Sequence, residues 1–329
     1  MKYIEVPKFG GPEVLRLIDA DTPGPGEGML LVEVQAAGIN YADVLARSGF
    51  YPTIRKAPFV LGFEVAGAVR EVGKCVEGFK VGDPVAAITP AGGGYATHVL
   101  IPAAAAIPIP SHFDAGLTAA LLMQGVTAYI ALDQARVKNG DVVMITAAAG
   151  GVGRLAVQLA KARGATVIGL ASKSKADLVK GLGADHVFDY GKAGWSAEVL
   201  DVTRSQGVQV FLDSVGDLAT EAFPLLSSFG RWIIYGVRTG KHNPLPAEAV
   251  WPMIGKNISL GGFNLGASMQ HAPCALRELF KFVIDGRVKV EIKKYPLADA
   301  SIVHTLFEER KTTGKPAHCL ILSITFKST

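Results

Sequence analysis

The feature that most constrains the fold of this 329-residue chain is a glycine-rich turn between a short apolar run and a helical pattern. The apolar run is Val142–Ile145, the turn reads Thr-Ala-Ala-Ala-Gly-Gly-Val-Gly over residues 146–153, and the helical pattern runs from Gly151 to Arg163. A strand that leads through glycines straight into a helix is a typical dinucleotide site, because the helix N-terminus offers N–H groups and a partial positive charge to phosphates. The predicted contacts are Gly150, Gly151, Val152 and Gly153.

Two of these glycines have distinct predicted roles. Gly150 lets the backbone approach the pyrophosphate, and Gly153 lets the helix pack tightly against the strand. Ala148 stands where the usual pattern has its first glycine, so a plain strand-to-helix turn is the alternative. The repeated units that follow favour the dinucleotide site.

Apolar runs alternate with helical patterns from about residue 137 to residue 265. The predicted strands are 142–145, 167–170, 187–188, 208–212, 232–235 and 258–265, and the predicted helices are 151–163, 175–181, 195–203 and 218–227. Strand–helix units of this length indicate an α/β fold, with a doubly wound parallel sheet covered by helices on both faces.

The segments before and after this region have different sequence patterns. Residues 1–110 read as many short strands separated by Gly and Pro, which is typical of a β-barrel or sandwich. The tail offers helices at 276–285 and 298–309 and a strand at 319–324. Between Asp114 and Asp133 lies an uncharged stretch that polar residues and glycines interrupt, so we predict a buried helix rather than a membrane span.

Composition excludes several classes of protein. With 49% hydrophobic residues the chain is not disordered, and its 33 Lys+Arg against 29 Asp+Glu form no basic run typical of a nucleic-acid binder. The 3 cysteines are scattered, which argues against a disulfide framework or a zinc knuckle. The first residues include Glu5 and Pro7 and contain no apolar signal core, so we expect a cytoplasmic protein with reduced thiols.

The end of the second predicted strand indicates which dinucleotide binds. Enzymes that use NAD usually carry an acid there, which accepts from the ribose hydroxyl. This chain has no carboxylate before Asp177, and it has Ser172, Lys173 and Lys175 instead. A hydroxyl and two ammonium groups attract a 2′-phosphate, so the sequence predicts NADPH, unless the lysines merely solvate a helix start.

Ordered sequence blocks along nearly the whole chain support a family assignment. They are Phe9–Leu15, Ala37–Asp43, Gly49–Pro52, Val81–Asp83, Gln124–Ala128, Ala147–Gly153, Gly183–His186, Asp213–Gly216 and Lys311–Lys315. On these blocks the chain resembles the medium-chain dehydrogenase/reductase superfamily, and within it the zinc-free NADPH:quinone oxidoreductase (zeta-crystallin-like) branch.

The resemblance implies a two-domain architecture. A GroES-like, partly open β-barrel catalytic domain would comprise residues 1–122 with 268–329, and a Rossmann NADPH-binding domain residues 123–267. The cofactor would lie in the cleft between them. A homodimer would form through the edge strand Ile258–Leu265.

The residues that replace zinc ligands are also informative. Zinc-dependent members of the superfamily carry a cysteine at the position of Asn40 and a histidine at that of Phe63. An amide is a poor zinc ligand and a phenyl ring is none, so we predict no metal site. On this interpretation Glu64 is a structural remnant of the lost zinc shell.

Without metal or flavin, the implied reaction is direct hydride transfer from the nicotinamide to a quinone. The resemblance places Asn40, Tyr51 and Thr127 beside the reacting rings, and Ser172, Lys175 and Tyr190 around the 2′-phosphate. The loops that wrap the cofactor would contain Ser214, Gly236, Phe263 and Leu265, although residues 236–251 depart from the family pattern. Asn40 as a turn residue and Tyr51 as a loop anchor remain open alternatives.

Two other functions compete with quinone reduction. A reductase of enones, alkenals or enoyl thioesters would share the fold and the hydride donor, and would add an acid such as Tyr51 to protonate carbon. A crystallin-like protein would bind NADPH without turnover.

Overall fold

The computed structural model describes residues 1–54, 56–237 and 249–309 and the backbone of 317–321. The chain divides into two compact units. The first unit comprises Met1–Met123 and Val290–Thr329, and the second comprises Gln124–Lys289. The elements below are numbered in chain order.

The first unit begins as a run of short strands with one helix inside it and one after it. The elements are β1 Lys2–Val6, β2 Arg16–Asp19, β3 Met29–Gly38, α1 Tyr41–Arg47, β4 Phe59–Val60, β5 Glu64–Val72, β6 Pro84–Ile88, β7 His98–Pro102, β8 Ile107–Pro108 and α2 Ala115–Ala120.

The second unit alternates strands and helices. The elements are α3 Val126–Gln134, β9 Val142–Ile145, α4 Gly151–Ala162, β10 Thr166–Leu170, α5 Ala176–Gly181, β11 His186–Phe188, α6 Trp195–Val202, β12 Val208–Asp213, α7 Ala219–Ala222, β13 Leu226–Ile234, α8 Val250–Lys256, β14 Ser259–Gly262 and α9 Ala272–Ile284. The chain then returns to the first unit with β15 Ile292–Pro296, α10 Ala300–Glu308 and β16 Ala317–Ile321.

The six strands β9 to β14 form one sheet, in the order β11-β10-β9-β12-β13-β14, and every neighbouring pair is parallel. Both faces of this sheet are buried, since Met144 belongs to the hydrophobic cluster around Trp232 while Val143 and Ile145, on the other face, are also fully enclosed. The predicted α/β fold with a doubly wound parallel sheet is therefore confirmed.

The first unit is built on a seven-stranded, largely antiparallel sheet. Its order is β15-β16-β3-β5-β6-β8. Strand β7 pairs with the first half of β3, whereas β16 pairs with its last residues. A separate small sheet has the order β2-β1-β4. Strand β3 spans ten residues and pairs with β16, β5 and β7, so it is the centre of the unit. The core contains Leu30, Val32 and Val34 from this strand, together with Val303 from α10.

The apolar stretch after Asp114 is helical, but it is not one regular α-helix. A π-helical turn, Leu121–Gly125, separates α2 from α3. By length and hydropathy the stretch Ala115–Gln134 is long enough to cross a membrane, and 67% of its most apolar window is buried within the protein. This burial agrees with the predicted core helix.

Three sequence predictions need correction. The helix predicted over 218–227 ends early, because Pro224 lacks the N–H that would continue it and Leu226 already pairs with Val208. The strand predicted over 258–265 is only Ser259–Gly262, since its pairing with β13 ends at Gly262. Helix α1 lies inside the region that was predicted as strands.

The second domain boundary also differs from the prediction. Residues 268–289 were assigned to the catalytic domain, yet they belong to the second unit. Helix α9 packs on α3, and the Gln158 side chain both donates to Lys289 O (3.1 Å) and accepts from Lys289 N (2.8 Å). These contacts hold the chain in the second unit as far as Lys289.

Candidate active site

The glycine turn has the geometry of a backbone cradle. Gly150 is the N-cap of α4 and is exposed. A Cβ added at Gly150 would lie within 4 Å of atoms of Ala147 only, so no other part of the protein covers this position. A Cβ on Gly153 would overlap the carbonyl oxygen of Ala147 and lie 2.9 Å from Ala148 Cα. The missing side chain at Gly153 therefore lets α4 start against the turn, as the sequence argument requires.

Hydrogen bonds fix the neighbouring loop at the carboxyl edge of the sheet. Asp213 ends β12 and is fully buried, and its Oδ1 accepts from Val215 N (2.8 Å), Gly216 N (3.2 Å) and Thr146 Oγ1 (3.2 Å). Burial raises the pKa of this carboxyl, although the three hydrogen bonds oppose the rise. Ser214 N donates to Thr146 Oγ1 (2.8 Å), so Ser214 is held beside the end of β9.

The next two strands end at the same edge. Gly236 follows β13, and a Cβ on it would lie 2.7 Å from Ser214 O, so these two loops touch. Phe263 and Leu265 follow β14, are half-buried, and Phe263 N donates to Ile234 O (2.8 Å). The structure thus brings Ser214, Gly236 and Phe263 to the edge where α4 begins, which is where α/β sheets bind ligands. Residues 238–248 of the divergent stretch lie outside the described residues.

The three residues predicted around the 2′-phosphate lie after β10 and β11. Ser172 is exposed, with its Oγ 3.2 Å from Ser174 Oγ, and its carbonyl accepts from Lys175 N (2.9 Å). Lys175 is half-buried, and Tyr190 is partly buried against the core of the unit.

A carboxylate that the sequence argument missed lies next to this group. Asp189, at the end of β11, accepts from Lys173 N (3.1 Å) and Gly191 N (3.0 Å), one bond on each oxygen. It ties the loop after β10 to the loop after β11. Strand pairing brings it there from 16 residues away, so inspection of the residues just after β10 could not find it.

Asn40, in the first unit, is held by two buried carboxyl groups. It is the N-cap of α1 and forms a capping box with Asp43, whose Oδ2 accepts from Asn40 N (2.7 Å). The Asn40 Nδ2 donates to Glu64 Oε1 (2.6 Å). Asn40 is thus the cap residue at the start of α1, and Glu64 orients its side-chain amide.

Both carboxyl groups titrate far above their ordinary range. Burial raises the pKa of Asp43 to about 7 and that of Glu64 to about 8, although hydrogen bonds from Asn40 favour the charged forms of both. For Glu64 the neighbouring Asp43 charge adds to the rise. Two carboxylates that share one asparagine repel each other, so protons are retained in this part of the unit at neutral pH.

Tyr51 lies close to the same group. Its ring packs on Phe63, with centroids 4.9 Å apart. Burial and the Asp43 charge raise the pKa of its hydroxyl, so Tyr51 carries its proton at neutral pH. Thr127, the third predicted residue beside the reacting rings, lies half-buried in α3 of the second unit.

A chain of buried polar side chains extends from Asp43 to α10, and sequence reasoning missed it. Arg47 is fully buried and donates to His304 Nδ1 (3.2 Å), His304 Nε2 lies 3.4 Å from the Tyr95 hydroxyl, and that hydroxyl faces Asp43. A guanidinium only donates, so His304 keeps the lone pair on Nδ1 and its proton on Nε2, which points at Tyr95. Arg47 also pairs with Glu308. His304 is 209 positions from Tyr95 and 257 from Arg47, so no local sequence pattern could predict these contacts.

Comparisons with known proteins agree with this geometry. Residues 26–111 match the alcohol dehydrogenase GroES-like domain family, and residues 151–281 match the zinc-binding dehydrogenase family. A probable quinone oxidoreductase of Schizosaccharomyces pombe is 33% identical over 95% of each chain, and a 2-haloacrylate reductase of a Burkholderia species is 33% identical over 93% of this chain and 95% of its own. The structure of Escherichia coli quinone oxidoreductase complexed with NADPH superposes with a TM-score of 0.90 at 32% identity, over 98% of this chain and all of that one.

The chain belongs to the medium-chain dehydrogenase/reductase superfamily, in its quinone oxidoreductase branch.

The sequence comparison with zinc-dependent members predicts that Asn40 and Phe63 replace zinc ligands, and both side chains have other contacts in this structure. Asn40 binds Glu64, and Phe63 packs on Tyr51 inside the core. Within the described ranges, no group of three or more His, Cys, Asp or Glu side chains is arranged to hold a metal ion. The oxygens of Glu64 are instead used by two N–H groups of the protein.

Proposed function

We propose that this protein reduces quinones with NADPH, by direct hydride transfer that needs neither metal nor flavin. The observation that carries the proposal is the open glycine cradle at the carboxyl edge of the six-stranded parallel sheet, in a chain with quinone oxidoreductase relatives. The second unit would bind the nucleotide, and Asn40 and Tyr51 of the first unit are the residues proposed to act on the reacting rings.

The residues of the second unit fit NADPH. The backbone at Gly150–Gly153 would hold the pyrophosphate, since Gly150 is exposed and a Cβ there would approach no residue but Ala147, whose carbonyl oxygen would lie 3.1 Å away. Ser172, Lys175 and Tyr190 would hold the 2′-phosphate by hydrogen bonds and charge. Ser214, Gly236, Phe263 and Leu265 would line the nicotinamide half, and Thr127 would contact the nicotinamide.

The chemistry then places modest demands on the protein. When bound, NADPH would supply the hydride, with both electrons of its C–H bond, and one proton from water would complete the hydroquinone. The Asn40 amide would orient the nicotinamide or the quinone oxygen by a hydrogen bond. The protonated Tyr51 hydroxyl would donate to the acceptor and help to exclude water.

An acceptor panel assayed in parallel with NADPH and NADH tests this proposal. We expect NADPH-dependent reduction of 1,4-naphthoquinone, with NADH a much poorer donor. Efficient use of NADH would contradict the assignment of Ser172 and Lys175. Tight NADPH binding without turnover of any acceptor would show a binding protein instead of an enzyme.

A second candidate function is reduction of a carbon–carbon double bond. The 2-haloacrylate reductase relative and the protonated Tyr51 hydroxyl favour it, because carbon needs an acid to deliver its proton. Tyr51→Phe separates the two functions. If it abolishes turnover of a simple enone and spares naphthoquinone, the double-bond activity is genuine. If enones are inert with the unaltered protein, that activity is excluded.

We also propose a homodimer through the second unit and a cytoplasmic location. Among the strands of the described ranges β14 is at the edge of its sheet, and α8, which precedes it, exposes Val250, Trp251 and Ile254, of which Trp251 is 78% accessible. A second copy of the chain that covers this edge would bury them. Cys75 and Cys274 are exposed free thiols, which suits a reducing compartment.

A further inference from the structure

Glu64 joins two segments that the sequence places far apart. Its Oε1 accepts from Asn40 Nδ2 and its Oε2 from Met123 N, each at 2.6 Å. Met123 lies in the π-helical turn, where the helix is irregular. The side chain is 1% exposed, and Gly38 makes room for it, since a Cβ there would overlap the Glu64 carboxylate.

These contacts require two oxygens that both accept a hydrogen bond, which a carboxyl group supplies in either ionisation state and other polar side chains do not. Both partners of Glu64 are N–H donors, so each of its oxygens must accept. Glutamine has nearly the same shape but offers one accepting oxygen and one donating NH2. It would satisfy one partner and turn a donor toward the other.

The contacts also determine the direction of the Asn40 amide. The backbone N–H of Asn40 is tied to Asp43, and its Nδ2 is tied to Glu64. Because the amide is planar, fixing one N–H of the Nδ2 group also fixes the direction of the other.

We infer that Glu64 is a positioning residue for the reduction, which aims the second N–H of the Asn40 amide at the reacting rings. The inference rests on the proposed function, in which Asn40 contacts the nicotinamide or the acceptor. It replaces the interpretation of Glu64 as a remnant of a zinc shell.

Steady-state kinetics of Glu64→Gln with NADPH and naphthoquinone test the inference. We expect kcat to fall about 10- to 100-fold, as for other losses of an orienting partner, with the Kd for NADPH within twofold of its original value. Glu71→Gln, on the exposed side of the same strand, is the matched control and should leave kcat unchanged.

A double variant separates orientation of the amide from support of the fold. When Glu64→Gln is combined with Asn40→Asp, the NH2 of the introduced glutamine can donate to the new carboxylate while its oxygen still accepts from Met123 N. We therefore expect the melting temperature lost in Glu64→Gln to be regained, while kcat stays low because the amide donor is gone.

Three outcomes would overturn the inference. They are a kcat of Glu64→Gln within twofold of the unaltered enzyme, a loss of kcat that follows a parallel loss of NADPH affinity, and recovery of kcat in the double variant. Absence of quinone turnover in the unaltered protein would instead contradict the proposed function itself, so the two failures are distinguishable in one assay.

Discussion

At the scale of single residues, the most unusual feature of the first unit is the raised pKa of two buried carboxyl groups, those of Asp43 and Glu64. Burial raises the pKa of these carboxyls to about 7 and about 8, from ordinary values of 3.8 and 4.5. Between the ordinary and the raised values the folded protein binds more protons than the unfolded chain. Unfolding then releases protons, so the free energy of unfolding falls as pH rises through this window.

Glu64→Gln should therefore flatten the dependence of stability on pH. We expect the decrease in unfolding free energy between pH 5 and pH 8 to shrink by about 1 kcal/mol or more, since one pKa unit corresponds to about 1.4 kcal/mol. Urea unfolding at four pH values measures it, with the exposed Glu198→Gln as control. An unchanged slope would mean that Glu64 is not the group that holds the extra proton.

The residues proposed to hold the 2′-phosphate give a second prediction at the scale of single residues. Lys175→Ala should raise the KM for NADPH about 10-fold, because a charge-assisted contact is worth about 1.5–3 kcal/mol, and should leave the KM for NADH nearly unchanged. Lys180→Ala, on the exposed side of α5, is the matched control. An equal rise in KM for NADPH and for NADH would mean that Lys175 supports the fold and does not bind the 2′-phosphate.

These residues differ in how far the sequence predicts them. Ser172 and Lys175 follow from a local argument, because the chain just after one strand lacks an acid and carries hydroxyl and ammonium groups. Asn40 is named by resemblance, but its orientation depends on Glu64, 24 positions away. The link from Asp43 through Tyr95 to His304 depends on how distant segments fold together, and no periodicity encodes that.

At the scale of elements, the parallel sheet is the part that sequence predicts best. Strands buried on both faces appear as continuous apolar runs, and β9 and α4 begin at the predicted residues. Errors occur where local chemistry gives a weak signal. Helix α1 is only seven residues long inside a β-rich region, and the π-helical turn differs from an α-helix by hydrogen bonds that composition does not reveal.

The start of α4 provides a prediction for an element. Gly153→Ala should destabilise the protein by about 1–3 kcal/mol, because the new methyl group would collide with the backbone of Ala147 and Ala148. Gly181→Ala is the matched control in α5, where nothing lies within 4 Å of the new Cβ, and it should stabilise by about 0.5–1 kcal/mol. Thermal unfolding measures both changes, and a neutral Gly153→Ala would show that α4 can move away from the turn.

At the scale of the whole molecule, β14, the last strand of its sheet in the described part of the chain, and the apolar residues of α8 bear on assembly. Met253 of α8 packs against the core of the second unit, whereas Val250, Trp251 and Ile254 are exposed to water and lack the burial that usually stabilises a short helix. A second copy of this chain would restore that burial and would also cover the β14 edge.

Replacing Trp251 and Ile254 by serine should therefore convert a dimer into a monomer while the fold is retained. Each large apolar side chain is worth about 1.5–3 kcal/mol when fully buried, and two chains contribute, so the dissociation constant should rise by several orders of magnitude. Sedimentation velocity over a range of concentrations measures it, with circular dichroism to check the fold. Ile302→Ser, which removes a similarly exposed side chain from α10 of the first unit, is the control and should leave the dimer intact. If the unaltered protein sediments as a monomer at micromolar concentration, the proposed dimer is wrong, and a second copy of the chain does not cover the exposed residues of α8.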